Sequence, residues 1–142
     1  MKDTDRIIAY IEENRVLSLS TVRGSIPWAT NCFYAFDADA MALLFLTELS
    51  TRHGGELCDN DAIAGTISSQ EASVAKLRGI QFSGHARQLA GEALERGRQL
   101  YVGRFPVAAL HPAPLWTITL DLVKYTNNTV GFGTKLYWRR QA

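Results

Sequence analysis

The sequence of 142 residues lacks any surplus of charge, because 15 lysine and arginine residues stand against 14 aspartate and glutamate residues, for a formal net charge of +1. A nucleic-acid-binding module draws its affinity from a basic surplus, so no nucleic-acid partner is expected. Two cysteines, Cys32 and Cys58, are too few for a disulfide scaffold. The longest apolar run, residues 40–46, is far shorter than the roughly 18 residues of a membrane span. We therefore expect no membrane partner.

A secretory signal is also missing, because the first residues are polar and acidic and no apolar segment follows them. This pattern predicts a reduced, cytoplasmic protein. The remaining composition is that of a globular chain, with 46% hydrophobic and 20% charged residues, which excludes intrinsic disorder. The length suits one domain, and we predict a single domain over residues 1–142.

Short strands dominate the periodicity of the chain. A helix around Ile7–Ile11, a short one ending near Leu57 and a third over residues 91–101 are the only helical segments that the spacing predicts. Strands and helices do not alternate regularly, so an antiparallel barrel or sandwich is favoured over a parallel sheet. The predicted strands are residues 16–22, 28–36, 41–47, 62–68, 78–89, 115–125 and 135–139.

The segment from Thr47 to His53 is the most informative one for function. A strand ends there and a helix begins, and the helix start carries Ser50, Thr51, Arg52 and an imidazole. Free N–H groups, hydroxyls and a guanidinium are the donors that a phosphate group accepts from. The alternative is structural: a hydroxyl caps the helix and the arginine is a solvated surface charge.

Other patterns each leave two interpretations open. Gln81, Ser83, His85 and Arg87 alternate along one strand, as the wet side of a sheet does or as a ligand groove would. The aromatic strand over residues 28–36 fits either the core or the wall of such a groove. The histidines and cysteines show no zinc-ligand spacing, so no metal site is predicted. No nucleophilic triad is indicated.

Several segments together resemble one family. They are ATNCFYAFD at residues 29–37, LTELSTRH at 46–53, RGIQFSG at 78–84, RFPVA at 104–108 and KYTNNTVGFG at 124–133. In this order they are similar to the YhbP-type family of uncharacterised bacterial proteins, within the pyridoxamine 5′-phosphate oxidase-like FMN-binding split barrels. The last segment is specific to the subfamily, and the second belongs to the wider superfamily.

The resemblance implies a mainly β fold, a six-stranded antiparallel (Greek-key) split barrel with a few peripheral helices, which forms a homodimer with flavin sites at its interface. It implies that the FMN phosphate lies at Thr51 and Arg52, with Thr47 and Ser50 adjacent. His53 occupies the usual lysine position, which reduces the positive charge there at neutral pH. The resemblance further places the isoalloxazine ring along the second strand near Thr30, Asn31 and Cys32, with Gln81 at the edge of the ring.

The function implied by the resemblance is that of an FMN-dependent oxidoreductase acting on a small-molecule redox substrate, since the flavin supplies the redox chemistry and the protein binds and orients it. One alternative is a non-catalytic binding or sensing module for haem or a deazaflavin, with His53, His85 or His111 as an axial haem ligand. Another is a structural dimer that has lost its cofactor.

Overall fold

The computed structural model describes residues 2–141, which form one antiparallel sheet and three α-helices. The helices are α1 (Asp3–Glu13), α2 (Arg52–Asp59) and α3 (Gly91–Arg104), and short 3-10 helices occupy Val74–Lys76, Pro106–Leu110 and Asn128–Val130. The strands are β1 (Val16–Arg23), β2 (Ile26–Phe33), β3 (Ala35–Asp37), β4 (Ala42–Leu46), β5 (Ala62–Ser68), β6 (Arg78–Gln88), β7 (Leu115–Asn127) and β8 (Lys135–Arg139).

The sheet runs in the order β2-β1-β5-β6-β7-β4-β3, and β8 pairs with β7. Its two end strands, β2 and β3, are not hydrogen-bonded to each other in the described part of the chain, although β2 lies against β4. The barrel is therefore open along one side, and β2 is an edge strand with one row of backbone groups left unpaired. β1 and β2 are joined by a tight turn in which Gly24 has a φ of 60°, a value that favours glycine.

The main core fills the inner face of the sheet. Large apolar side chains from β1, β4, β5, β6 and β7 meet there, and α1 covers one end of the barrel with Ile7, Tyr10 and Ile11. Tyr10 stacks on Tyr125 with ring centroids 4.8 Å apart, and the hydroxyl of Tyr34 donates to the carbonyl of Ile11 over 2.6 Å. These contacts fix the helix on the barrel.

A second, smaller core lies on the outer face of the sheet beneath α3. It contains Leu44, Leu89, Tyr101 and Leu115. Gly97 lets the helix approach closely, since a Cβ at that position would lie 2.8 Å from Cδ1 of Leu89. Helix α3 covers the β3, β4 and β7 region of the outer face, and it leaves the outer face of β2, β1, β5 and the first part of β6 uncovered.

The predicted fold class, mainly β and antiparallel with few helices, is confirmed. The strand number differs, because the structure has eight strands where the resemblance implied six. The predicted strand over residues 28–36 is divided at Tyr34, whose N–H donates to the carbonyl of Arg15 and so leaves the ladder. Helix α3 extends to Arg104, three residues beyond the predicted end.

Candidate functional site

The link between β4 and α2 is folded by its threonines. Thr51 is the N-cap of α2: its Oγ1 accepts from the N–H of Gly54 over 3.0 Å and donates to the carbonyl of Glu48 over 2.7 Å. The N–H of Gly55 is taken by the carbonyl of Thr51. These bonds leave the first two N–H groups of the helix, those of Arg52 and His53, without a helical partner, as the geometry of a helix start requires. These two N–H groups can donate to a ligand at the start of α2.

The imidazole of His53 turns back toward the hydroxyls rather than toward solvent. Its Nε2 lies 2.5 Å from Oγ1 of Thr47 and 3.4 Å from Oγ1 of Thr51. Burial lowers the pKa of His53, and the negative charge of Glu56 opposes this only in part. The ring is therefore neutral near neutral pH. His53, at the position where the resemblance implies a lysine, therefore adds a hydrogen-bonding group to the site and no positive charge.

Arg52 is held in place on two sides. Its Nε donates to Oε2 of Glu56 over 2.8 Å, and its guanidinium carbon lies 4.1 Å from the ring centroid of Trp28. Glu56 is buried, at 2% relative exposure, and its other oxygen accepts from Oγ1 of Thr21 over 3.1 Å. Hydrogen bonding from Arg52, and then from Thr21, lowers the pKa of Glu56. The carboxylate stays ionised and fixes the guanidinium, and the two terminal nitrogens remain for an anion.

Thr47, Thr51, Arg52 and His53, four of the predicted site residues, lie next to one another in the structure. Ser50 is exposed at the same turn. Three further residues of this cluster were not among the predicted site residues: Thr21, Trp28 and Glu56. The spacing of Arg52 and Glu56, four positions apart on a helix, is a signal for the ion pair. Nothing in the local sequence links Thr21 to Glu56, since 35 positions separate them.

The three residues predicted to line the ring alternate in direction along β2. Cys32 pairs with Leu17 and lies in the core, where burial raises the pKa of its thiol to about 11. Asn31 points to the uncovered outer face, and Thr30, half-buried, points inward opposite Leu19. The thiol of Cys32 is therefore not offered to a ligand on the outer face, and only its backbone is available there. Asn31 is the member of this group whose side chain is exposed.

Gln81 shares the outer face with Asn31 but lies three strands away. The register joins Asn31 to Ser18, Ser18 to Thr66 and Thr66 to Gln81 in one row across the sheet. Three strand spacings amount to about 14 Å, so Asn31 and Gln81 do not touch. They lie at two ends of a polar row.

Farther along β6, the outer face carries an ordered histidine. Nδ1 of His85 lies 2.7 Å from Oδ2 of Asp121, and this aspartate occupies the irregularity in register between β6 and β7. The contact leaves Nε2 of His85 directed away from its partner. Among residues 2–141, no group of three or more histidine, cysteine, aspartate or glutamate side chains is placed to hold a metal ion. In the same range, no helix is both long and apolar enough to cross a membrane.

The fold is shared with solved structures of low sequence identity. A heme binding protein from Mycobacterium smegmatis superposes with a TM-score of 0.83 at 16% identity, over 98% of this chain and 58% of that one. A FAD-binding protein from Mesorhizobium loti gives 0.70 at 13% identity, over 84% and 91% of the two chains. A putative pyridoxamine 5′-phosphate oxidase from Listeria innocua gives 0.69 at 16% identity, over 87% and 98%. These likenesses establish a split-barrel fold.

Curated relatives are much closer in sequence. No protein-family model matches the chain. A UPF0306 protein of Citrobacter koseri is 49% identical over 140 residues, which is 99% of this chain and 96% of the relative. The UPF0306 protein YhbP of Escherichia coli (strain SMS-3-5) is 42% identical over 142 residues, 100% of this chain and 97% of the relative. Because this identity extends over nearly the whole of both chains, the chain belongs to the UPF0306 (YhbP) family.

Proposed function

We propose that this protein binds FMN and acts as a flavin-dependent oxidoreductase, with the phosphate of FMN at the start of α2. The observation that carries the proposal is the fixed guanidinium of Arg52, held by Glu56 and Trp28 beside two free N–H groups. A phosphate oxygen at this point meets charge-assisted donors from Arg52, backbone donors from the helix start and the hydroxyl of Ser50. These donors fit a phosphate group.

The isoalloxazine ring would lie along β2, as the resemblance implies. An edge strand offers unpaired N–H and C=O groups, and these match the alternating acceptors and donors on the pyrimidine edge of a flavin. In this arrangement Asn31 contributes a side chain and Thr30 and Cys32 contribute backbone, whereas Gln81, about 14 Å away across three strand spacings, does not reach a ring along β2 of its own chain. A bound flavin would supply electron or hydride transfer to a small-molecule substrate, while the residues of this chain hold and orient it.

The proposal includes a homodimer. The outer face of β2, β1, β5 and β6 is uncovered and carries small or polar side chains at central positions, among them Ala29, Ser20, Ala64 and Ser83, which share one row of the sheet. Small side chains let a second copy approach closely and leave room for a flat ligand between the copies. Light scattering should then give twice the chain mass of 15.7 kDa. A monomer at micromolar concentration would contradict this part of the proposal.

Titration with FMN tests the central claim. We expect saturable quenching of flavin fluorescence at micromolar FMN, with one site per chain. Protein that leaves the fluorescence of micromolar FMN unchanged would refute FMN binding.

A variant of Arg52 tests the position of the phosphate. Arg52→Ala should weaken FMN by about tenfold, because a hydrogen bond to a charged group contributes about 1.5–3 kcal/mol and the side chain of Arg52 is half exposed. Riboflavin, which lacks the phosphate, should be affected much less. Arg15→Ala is the matched control, since Arg15 is exposed and lies outside the cluster. Equal losses of FMN and riboflavin in Arg52→Ala would place the phosphate elsewhere.

Haem is the second candidate ligand, and His85 is the feature that favours it. A histidine whose Nδ1 is held by a carboxylate presents Nε2 in a fixed direction, which is the arrangement that metal-bound histidines adopt. The likeness to the heme binding protein of Mycobacterium smegmatis supports the same candidate. An absorption spectrum with added haemin distinguishes the two ligands: a Soret shift that His85→Ala abolishes would establish haem binding through this residue, and an unshifted spectrum would exclude it.

A further inference from the structure

A large groove of the protein lies outside the proposed flavin site. It runs between α3 and the outer face of β4, β6 and β7, has a volume of about 770 Å³, and shares no residue with the cluster around Arg52. Sites for small molecules in proteins commonly measure roughly 300–1,000 Å³. The groove is thus large enough for a ligand of that class, and the function proposed above does not use it.

The two ends of the groove carry opposite charge. The register of the sheet pairs Arg87 with Thr117 and Leu44 with Thr117, which places Arg87 at the Thr117 end. Ala42 pairs with both Thr119 and Asp37, so the turn that carries Asp37 and Asp39 belongs to the Thr119 end. Each end therefore has its own chemistry.

Arg140 offsets part of the negative charge at the acidic end. Arg140 lines the groove there together with Asp37 and Asp39. Its guanidinium donates to the carbonyls of Leu120, Ala40 and Met41, and so it is fixed beside the acidic turn. This end does not require a charged ligand.

The arginines farther along the groove have no such partner. Among residues 2–141, neither Arg87 nor Arg96 lies within 4 Å of a carboxylate oxygen, although Glu92 is one helical turn from Arg96. Both side chains are exposed and line the same groove. Guanidinium groups that line one groove without a carboxylate partner attract an anion, and each can bind its oxygens in a bidentate manner.

The lining of the groove between α3 and the sheet includes both apolar and polar side chains. Leu44, Leu89, Leu100 and Ala93 form its apolar part, although Leu44 and Leu89 are themselves almost wholly buried beneath α3. A ligand that carries only an anionic group would leave this surface in water, whereas one with an apolar body would cover it.

We propose that this groove binds a small molecule with an apolar, ring-sized body and one carboxylate or phosphate group, with the anion between Arg87 and Arg96. The hydroxyls of Thr117 and Thr119 line the wall beside the body of the ligand. This site is separate from the flavin site, and it binds its ligand whether or not the protein binds FMN.

The experiment uses the whole protein labelled with ¹⁵N and three probes: phenyl phosphate, inorganic phosphate and benzyl alcohol. We expect phenyl phosphate to bind saturably and to shift the backbone amides of Gly97, Thr117 and their neighbours. Inorganic phosphate lacks the apolar body and benzyl alcohol lacks the anionic group, so each should bind at least tenfold more weakly. Shifts confined to α2, or equal binding of inorganic phosphate and phenyl phosphate, would overturn the proposal.

Paired variants separate the arginines from general charge. The double variant Arg87→Gln with Arg96→Gln should weaken phenyl phosphate at least tenfold. Arg98→Gln changes the same type of residue on the same helix, outside the groove lining, and should leave the affinity unchanged. An unchanged dissociation constant in the double variant would refute the site. Competition between FMN and phenyl phosphate would show that the groove is not separate from the flavin site. If FMN does not bind, the phenyl phosphate measurements still test the groove.

Discussion

Two adjacent glycines at the start of α2 give the sharpest test of the site geometry. A Cβ on Gly54 would lie 2.3 Å from the carbonyl oxygen of Glu48 and 2.8 Å from Oγ1 of Thr51, so the backbone of the β4–α2 link would have to move. A Cβ on Gly55 would meet only the carbonyl oxygen of Leu49, at 3.8 Å, an ordinary contact. Gly54→Ala and Gly55→Ala are therefore the same chemical change in two different environments.

The expected magnitudes follow from these distances. Alanine is favoured over glycine in a helix by about 1 kcal/mol, so Gly55→Ala should stabilise the protein by about 0.5–1 kcal/mol. Gly54→Ala has the same gain, but overpacking costs about 1–3 kcal/mol. Displacement of the Thr51 cap costs about 1 kcal/mol more, which leaves a net loss of about 1–3 kcal/mol. At about 3 °C per kcal/mol, the melting temperature should rise by about 2–3 °C for Gly55→Ala and fall by about 3–9 °C for Gly54→Ala.

Urea unfolding and thermal melting of both variants measure these differences without any ligand. Titration with FMN then adds a functional result, since only Gly54→Ala should weaken FMN, by moving Thr51 and the helix start. If Gly54→Ala were as stable as Gly55→Ala, the close contact with the carbonyl of Glu48 would not exist and the site geometry described above would be wrong.

Three further outcomes are expected. His53→Lys places a permanent cation at the phosphate site and should tighten FMN about twofold to fivefold near neutral pH, with no gain for riboflavin in the same fluorescence titration. Because burial lowers the pKa of His53 below its ordinary value of 6.5, the unfolded chain binds this proton more readily than the folded chain does. Stability should therefore fall as the pH drops below 6.5, and melting curves from roughly pH 8 to pH 5 should decline less steeply for His53→Gln than for the wild type. Cys58 is exposed, whereas burial raises the pKa of Cys32 to about 11. A thiol reagent should therefore modify one cysteine per native chain rapidly and the second only after unfolding, and two equally fast reactions would contradict the burial of Cys32.

The fold class and most elements were predictable because they depend on local patterns. Alternation of side chains identified the strands, and the tight turn after Arg23 required the residue types that are found there. The division between β2 and β3 was not predictable, since it lies where the chain changes partner, from the carbonyl of Arg15 in the α1–β1 link to Leu44 of β4. The pattern of the sequence predicted seven strands, so this division accounts for the eighth.

The candidate site divides in a similar way. Thr51 and Arg52 were predictable because capping residues and a guanidinium at a strand-to-helix junction form a local pattern. The full environment of Arg52 was not, because the indole of Trp28 that lies against it and the hydroxyl of Thr21 that bonds to Glu56 come close only when α2 packs against β1 and β2. The direction of the Cys32 side chain depends on which face of β2 meets the core. A shift of the strand register by one residue would turn that side chain to the other face.

The sequence by itself determined a β-rich chain with a near-neutral charge and membership of a known family. It also determined that hydroxyls and a guanidinium, which are typical phosphate ligands, lie at one strand-to-helix junction. Only the tertiary structure decided that His53 is tied to Thr47, that Glu56 bonds to both Arg52 and Thr21, and that Arg87 and Arg96 line one groove. The physical reason is that local propensity acts over a few residues, whereas these contacts depend on how strands pair and helices pack across the whole fold.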